Sequence, residues 1–96
     1  MNLSQTLHDQ RTAMLAAVQR HRAHNLRVFG SVARGTAKPA SDVDMLVDPL
    51  PGATLFDLGA LQVELEELLG AGVDLLTPGD GPASFRDTVL SEAIAL

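Results

Sequence analysis

In the run DVDMLV, residues 42–47, Val43, Met45 and Val47 alternate with Asp42, Asp44 and Leu46. A period of two belongs to an extended strand, whose side chains point alternately to opposite faces. The three apolar residues must then pack a core, and Asp42 and Asp44 share the other face, roughly 7 Å apart at Cα. Two like charges that close repel, and the repulsion is relieved by protonation, by an arginine or by a cation. Carboxylate oxygens so spaced suit Mg²⁺, a hard ion that takes a few carboxylates and completes its octahedron with water and phosphate oxygens. Two such ions, roughly 4 Å apart, would stabilise both the attacking and the leaving oxygen at a phosphorus atom.

The residues upstream fit the same chemistry. Leu26 to Phe29 read as a short strand that ends at Gly30-Ser31. Glycine lets a backbone approach a bulky anion closely, and the residues from Ser31 can open a single helical turn. Its free N–H groups, the Ser31 hydroxyl and the Arg34 guanidinium one turn later would all face the same phosphates. Lys38-Pro39-Ala40-Ser41 then makes a turn into the carboxylate strand.

The remaining segments complete the order helix, strand, strand, helix, strand, helix. Residues 3–24 carry Leu3, Leu7, Met14, Val18 and His21 at helical spacing, with either Asn2 or the Thr6-x-x-Asp9 pair as the start. Pro49-Leu50-Pro51-Gly52 ends the second strand. Thr54-x-x-Asp57 caps a helix with an inward stripe of Leu58, Leu61, Leu65 and Leu68, and Gly70-Ala71-Gly72 stops it. The acids of that helix, Glu64, Glu66 and Glu67, read as a solvated face. Val73-Asp74-Leu75-Leu76 is a third strand, and Ser84-x-x-Asp87 caps a last helix carrying Phe85, Val89, Ala93 and Ile94. Asp74 reaches Asp42 and Asp44 only if the third strand runs parallel to the second, which a crossover through the 55–69 helix provides. The expectation is a mixed α/β (α+β) fold: a three-stranded mixed sheet, first and second strands antiparallel, flanked by three to four helices.

Ninety-six residues point to a single domain over 1–96. No window approaches the eighteen apolar residues of a membrane span, and the polar opening MNLSQTLHDQ does not read as a signal peptide. With no cysteine, disulfides and cysteine-ligated metal are excluded and a cytoplasmic location is expected. A net charge of −5 argues against broad nucleic-acid affinity. The charge is uneven: residues 1–40 sum to +5, and residues 41–96, with Arg86 as their one cation, to −10. Such a division suits a small anionic ligand held between the halves with cations, or is simply an uneven surface. His21-x-x-His24 lacks a third ligand and reads as a pair near a helix end. Asp48, followed at once by Pro49, reads as a strand-end acid.

The stretch Phe29-Gly30-Ser31, ten intervening residues, then Asp42-Val43-Asp44-Met45 resembles the signature of the polymerase-beta-like nucleotidyltransferase superfamily. With Ala33-Arg34-Gly35 and Ser41-Asp42 included, it is similar to the minimal nucleotidyltransferases that act as antitoxins to HEPN-domain toxins. The resemblance implies the minimal nucleotidyltransferase fold and adenylyl transfer from ATP with Mg²⁺, two ions in all. Carried over by position, Gly30, Ser31 and Arg34 would hold the triphosphate. Asp42, Asp44 and Asp74 would be the catalytic and metal-ligating residues, Asp74 also preparing the incoming hydroxyl. It further implies a HEPN toxin as partner in a heteromeric complex and a tyrosine of that toxin as acceptor. This chain contains no tyrosine, so such an acceptor must come from another molecule. Two other readings stand beside it: an antitoxin that neutralises by binding alone, which would have no use for three converging carboxylates, and a nucleotidyltransferase acting on a small molecule such as an antibiotic.

Overall fold

The computed structural model describes residues 3–36, 42–79, 87 and 90–96. The turn expected at Lys38–Ser41 and the cap and apolar positions expected at Ser84, Phe85 and Val89 lie outside these residues. Helix α1 (Leu3–Arg20) leads into strand β1 (Ala23–Phe29) and a single helical turn, α2 (Gly30–Arg34). Strand β2 (Val43–Pro49), helix α3 (Leu55–Leu69) and strand β3 (Val73–Leu76) follow, and a two-residue strand, β4 (Ile94–Ala95), comes last. Asp87 and residues 90–92 are helical.

The sheet runs in the order β3-β2-β1-β4. β1 and β2 are antiparallel, β2 and β3 parallel, as a crossover through α3 requires. Val43, Met45 and Val47 are fully buried on the face covered by α1 and α3, where they meet Met14, Val18, Leu61 and Leu65. The helix α3 is bounded by its own chemistry. Thr54 and Asp57 form a reciprocal capping box at one end, and Gly70 in the left-handed conformation donates its N–H to the Glu66 carbonyl at the other.

Two elements and one burial differ from the sequence expectation. α1 ends at Arg20 rather than at 24, because Arg22 takes a left-handed conformation (φ 57°) and turns the chain into β1 three residues earlier than expected. No glycine or proline marks that turn. Ile94 is not on a helix: it pairs with Val28 and adds a fourth, antiparallel strand to the sheet. Leu46, on the same strand face as Asp44, is buried in a second small cluster with Phe29, Leu76 and Ala93. The carboxylate face of the sheet is therefore half apolar.

Candidate active site

The site is assembled by strand register. Phe29 faces Asp44 across the antiparallel pair, and Asp44 faces Asp74 across the parallel pair. Gly30, the next residue after Phe29, therefore starts its helical turn directly beside the Asp44 carboxylate. A Cβ at Gly30 would collide with Asp44 Oδ2, and the residue has φ 70°, so only glycine is free of both penalties here. The turn closes at Gly35, again left-handed, whose N–H bonds the Val32 carbonyl at 3.1 Å.

Asp42 lies just before β2 and is exposed. Its Oδ1 rests against Gly72, where a Cβ would collide with it, while the Val43 N–H bonds the Gly72 carbonyl at 2.8 Å. Asp74 is exposed on β3. The start of that strand is pinned by Glu66, whose carboxylate accepts the Val73 N–H at 3.0 Å. Glu66 was expected on a solvated face; it instead ties α3 to the strand that carries Asp74. Glu64 is likewise engaged, by Arg20 at the end of α1 and by His21 just beyond it, so among these three acids Glu67 is the exposed one.

Electrostatics mark the centre of the group. Partial burial pushes the Asp44 carboxyl above its ordinary value, the charges of Asp74 and Asp42 push it further, and Arg34 works in the opposite direction. Two carboxylates thus act on Asp44, and among the described residues the Arg34 guanidinium is the counterweight. That guanidinium is shared, since Arg34 Nη1 also donates to Glu92 at 3.1 Å. Glu92 was not singled out from the sequence; its spacing to Arg34, 58 residues, carries no local signal. Asp48 stands apart. It accepts hydrogen bonds from Arg27 Nη2 at 2.8 Å and Asn25 Nδ2 at 3.0 Å. Burial would raise its pKa, but those bonds and the Arg27 charge outweigh burial and hold it below the ordinary value.

The donor set suits Mg²⁺: hard carboxylate oxygens grouped around Asp44, whose ionised form is disfavoured by burial and by the charges of Asp74 and Asp42. Among the described residues no three acidic or histidine side chains are drawn into one coordination shell as they stand. Asp42 and Asp74 are exposed, so their carboxylates are free to turn toward Asp44.

Comparison with known proteins decides the family. The model of the nucleotidyltransferase domain matches residues 13–96. The chain belongs to that nucleotidyltransferase family. It is 35% identical over 88 residues to MJ0435 of Methanocaldococcus jannaschii, provisionally named a protein adenylyltransferase, a match covering 92% of this chain and 95% of the relative. It is 40% identical over 76 residues to the protein adenylyltransferase MntA of Thermococcus cleftensis, covering 79% and 77%. Among solved structures, one provisionally described as a minimal nucleotidyltransferase superposes with a TM-score of 0.90 at 46% identity, covering 100% of this chain and 97% of the other. A toxin–antitoxin crystal structure with AMP-PNP shares the fold, with a TM-score of 0.73 at 19% identity, covering 88% and 69%. This nucleotidyltransferase has the minimal fold of the family, and its mixed α+β sheet agrees with the expectation from sequence. No helix among the described residues is long and apolar enough to cross a membrane.

Proposed function

We propose that this nucleotidyltransferase transfers AMP from ATP to a hydroxyl of a partner protein, and that the partner is a HEPN-domain toxin silenced by the modification on tyrosine. The observation that carries the reading is the placement of Asp44 between the Gly30 turn and Asp74 in strand register. In this reading the turn that would cradle phosphate lies beside the carboxylates that would hold metal. The named relatives are protein adenylyltransferases, which favours a protein over a small-molecule acceptor. The chain lacks tyrosine, which moves the acceptor to another molecule.

In this reading Gly30 and Ser31 bind the triphosphate through backbone N–H groups and the Ser31 hydroxyl. Arg34 adds a charge-assisted contact to the same oxygens. Asp42, Asp44 and Asp74 would hold two Mg²⁺ ions, which would neutralise the charge on the phosphates. Asp74, on the exposed edge strand, accepts a hydrogen bond from the incoming hydroxyl and takes its proton as the new oxygen–phosphorus bond forms. The bond to the β-phosphate breaks, and pyrophosphate carries away the electron pair. Positioning and charge neutralisation supply most of the rate.

The test is intact-mass spectrometry of a HEPN toxin encoded alongside this chain, incubated with the chain, ATP and Mg²⁺. A gain of one or more AMP units that disappears with Asp42→Asn/Asp44→Asn supports the proposal. A toxin left unmodified yet silenced equally by both versions would show a binder and overturn the enzymatic reading.

A further inference from the structure

The chain crosses from α3 to β3 through Gly70-Ala71-Gly72, three small residues with little side chain of their own to fix a path. Two of the three candidate carboxylates depend on where this crossing ends. Val43 pairs with Val73 in register, and Asp44 with Asp74. The Asp42 Oδ1 rests against Gly72, and the Val43 N–H bonds the Gly72 carbonyl at 2.8 Å. A rotation or shift of the Gly72–Val73 peptide would therefore move the surface behind Asp42 and the backbone of Asp74 together.

β2 holds that peptide from one side only. Val43 bonds the residue before its partner, so in the parallel ladder Val73 turns its own N–H to the outer edge of the sheet. There it meets the Glu66 carboxylate at 3.0 Å, seven residues back on α3. The Glu66 carbonyl in turn accepts the Gly70 N–H at 2.8 Å. One residue thus secures both ends of the crossing, the helix end through its backbone and the strand start through its side chain.

The place is otherwise a poor one for an acid. Glu66 lies in the last turn of α3, where the helix end carries partial negative charge, and no basic residue occupies that turn. Glu67 stands next to it. Glu64 has Arg20 and His21 as partners, whereas the contact of the Glu66 carboxylate is a backbone N–H. That bond is charge-assisted and directional, so it fixes the orientation of the peptide it accepts from. The groove outside the crossing, lined by Val63, Glu66, Glu67, Gly70, Ala71 and Gly72, is open, so the bond restrains the crossing on that side.

We infer that Glu66 is a positioning residue for the carboxylate site: through the Val73 N–H it fixes the Gly72–Val73 peptide, and so sets Asp74 beside Asp44 and Gly72 against Asp42. The inference rests on the proposed function in one respect, that these three carboxylates hold the metal ions. Mg²⁺ demands a near-ideal octahedron, and a misplacement of about 1 Å at a reacting centre can lower the rate roughly a hundredfold. The role asks for a hydrogen-bond acceptor of this length, not for a charge.

The experiment compares the wild type with Glu66→Ala, Glu66→Gln and Glu66→Asp. Mn²⁺ binding is followed by electron paramagnetic resonance of the free ion, in the presence of an ATP analogue with methylene between its α- and β-phosphates. AMP transfer to the same HEPN toxin gives kcat and the KM for ATP. Glu66→Gln keeps an acceptor of the right length without the charge, whereas Glu66→Asp keeps the charge and falls one methylene short of Val73. Glu66→Ala and Glu66→Asp should each bind Mn²⁺ about tenfold more weakly and lower kcat about as much, as loss of a supporting contact behind metal ligands does. Their KM for ATP should stay within about twofold of wild type, since the Gly30 turn is untouched, and Glu66→Gln should resemble the wild type throughout. Thr54→Ala opens the capping box at the far end of α3 and controls for lost stability; below its melting range its Mn²⁺ affinity and kcat should be unchanged. Glu66→Asp resembling the wild type while Glu66→Gln resembles Glu66→Ala would show that the charge is what matters and overturn the inference. Unchanged Mn²⁺ affinity in Glu66→Ala and Glu66→Asp would overturn it too, and in both cases AMP transfer by the wild type would leave the proposed function standing. Weakened Mn²⁺ binding in those two variants, with no AMP transfer by the wild type, would keep the positioning role and remove the protein-acceptor reading. A wild type that binds no Mn²⁺ removes the metal site and the positioning role with it.

Discussion

Gly30 and Asp44 touch across two antiparallel strands: the glycine's α-carbon faces the carboxylate so closely that a methyl group there has no space. Gly30 also holds φ at 70°, so Gly30→Ala meets both a collision and a conformational penalty. The expected loss of stability is about 1–3 kcal/mol, read from denaturant unfolding. Gly72→Ala should cost less, since its φ is ordinary and the obstructing atom is the end of the exposed Asp42 side chain. Equal losses for the two variants would contradict this account.

Asp44 has a folded-state pKa above its ordinary value, so its ionised form costs folding stability at neutral pH, and that cost fades as pH falls through the raised value. Asp44→Asn should therefore raise the melting temperature near pH 8 without divalent cations. Mg²⁺ should stabilise the wild type more near pH 8 than in acid, where protonation competes with the ion. A thermal shift from Mg²⁺ that is independent of pH, or that survives Asp44→Asn, counts against a metal role for this residue.

Asp48 shows the opposite sign. Its pKa is held below the ordinary value by Asn25 and Arg27, so its contribution is present above roughly pH 4 and is lost as pH falls through the depressed value. Asp48→Ala leaves the mostly buried Arg27 side chain without its partner and should cost about 1–3 kcal/mol at neutral pH. The deficit relative to wild type should shrink in acid; a constant deficit across pH would show that packing, not charge, is responsible.

Arg34 is shared between Glu92 and the field around Asp44. If Arg34 contacts phosphate, Glu92 competes for it, and Glu92→Gln should tighten Mg-ATP binding a few-fold, whereas Arg34→Ala should weaken it about tenfold or more. Calorimetric titration of ATP separates the cases. Weaker binding in Glu92→Gln would mean that the carboxylate orients Arg34 rather than withholding it.

Much of this arrangement could be read from the residues themselves. The alternation from Asp42 to Val47 dictated a strand and its buried face, and Thr54-x-x-Asp57 with Gly70 bounded α3 to the residue. Bringing Asp74 to the other two carboxylates requires β3 to lie parallel to β2, and the sheet has that pairing. Signals failed where the deciding contact is distant in sequence. Arg22 takes its left-handed turn without a glycine, the Glu66 carboxylate bonds the first residue of β3, and Glu92 reaches Arg34 from the far end of the chain. Ile94 reads as helical by local spacing but finds a hydrogen-bonded place beside Val28 that spacing cannot reveal.

The parallel pairing of β2 with β3 has a kinetic meaning. Parallel neighbours cannot be closed by a hairpin, so Asp74 joins Asp44 only after thirty residues, including all of α3, have been laid down and docked. Closure over that span should follow the more local β1–β2 contact, whose Phe29–Asp44 pair is fifteen residues apart. A nascent or partly unfolded chain would therefore carry Asp42 and Asp44 but lack the third carboxylate. Chemistry at this site would begin only when the last crossover is complete, so turnover would report on the finished fold and not on its fragments.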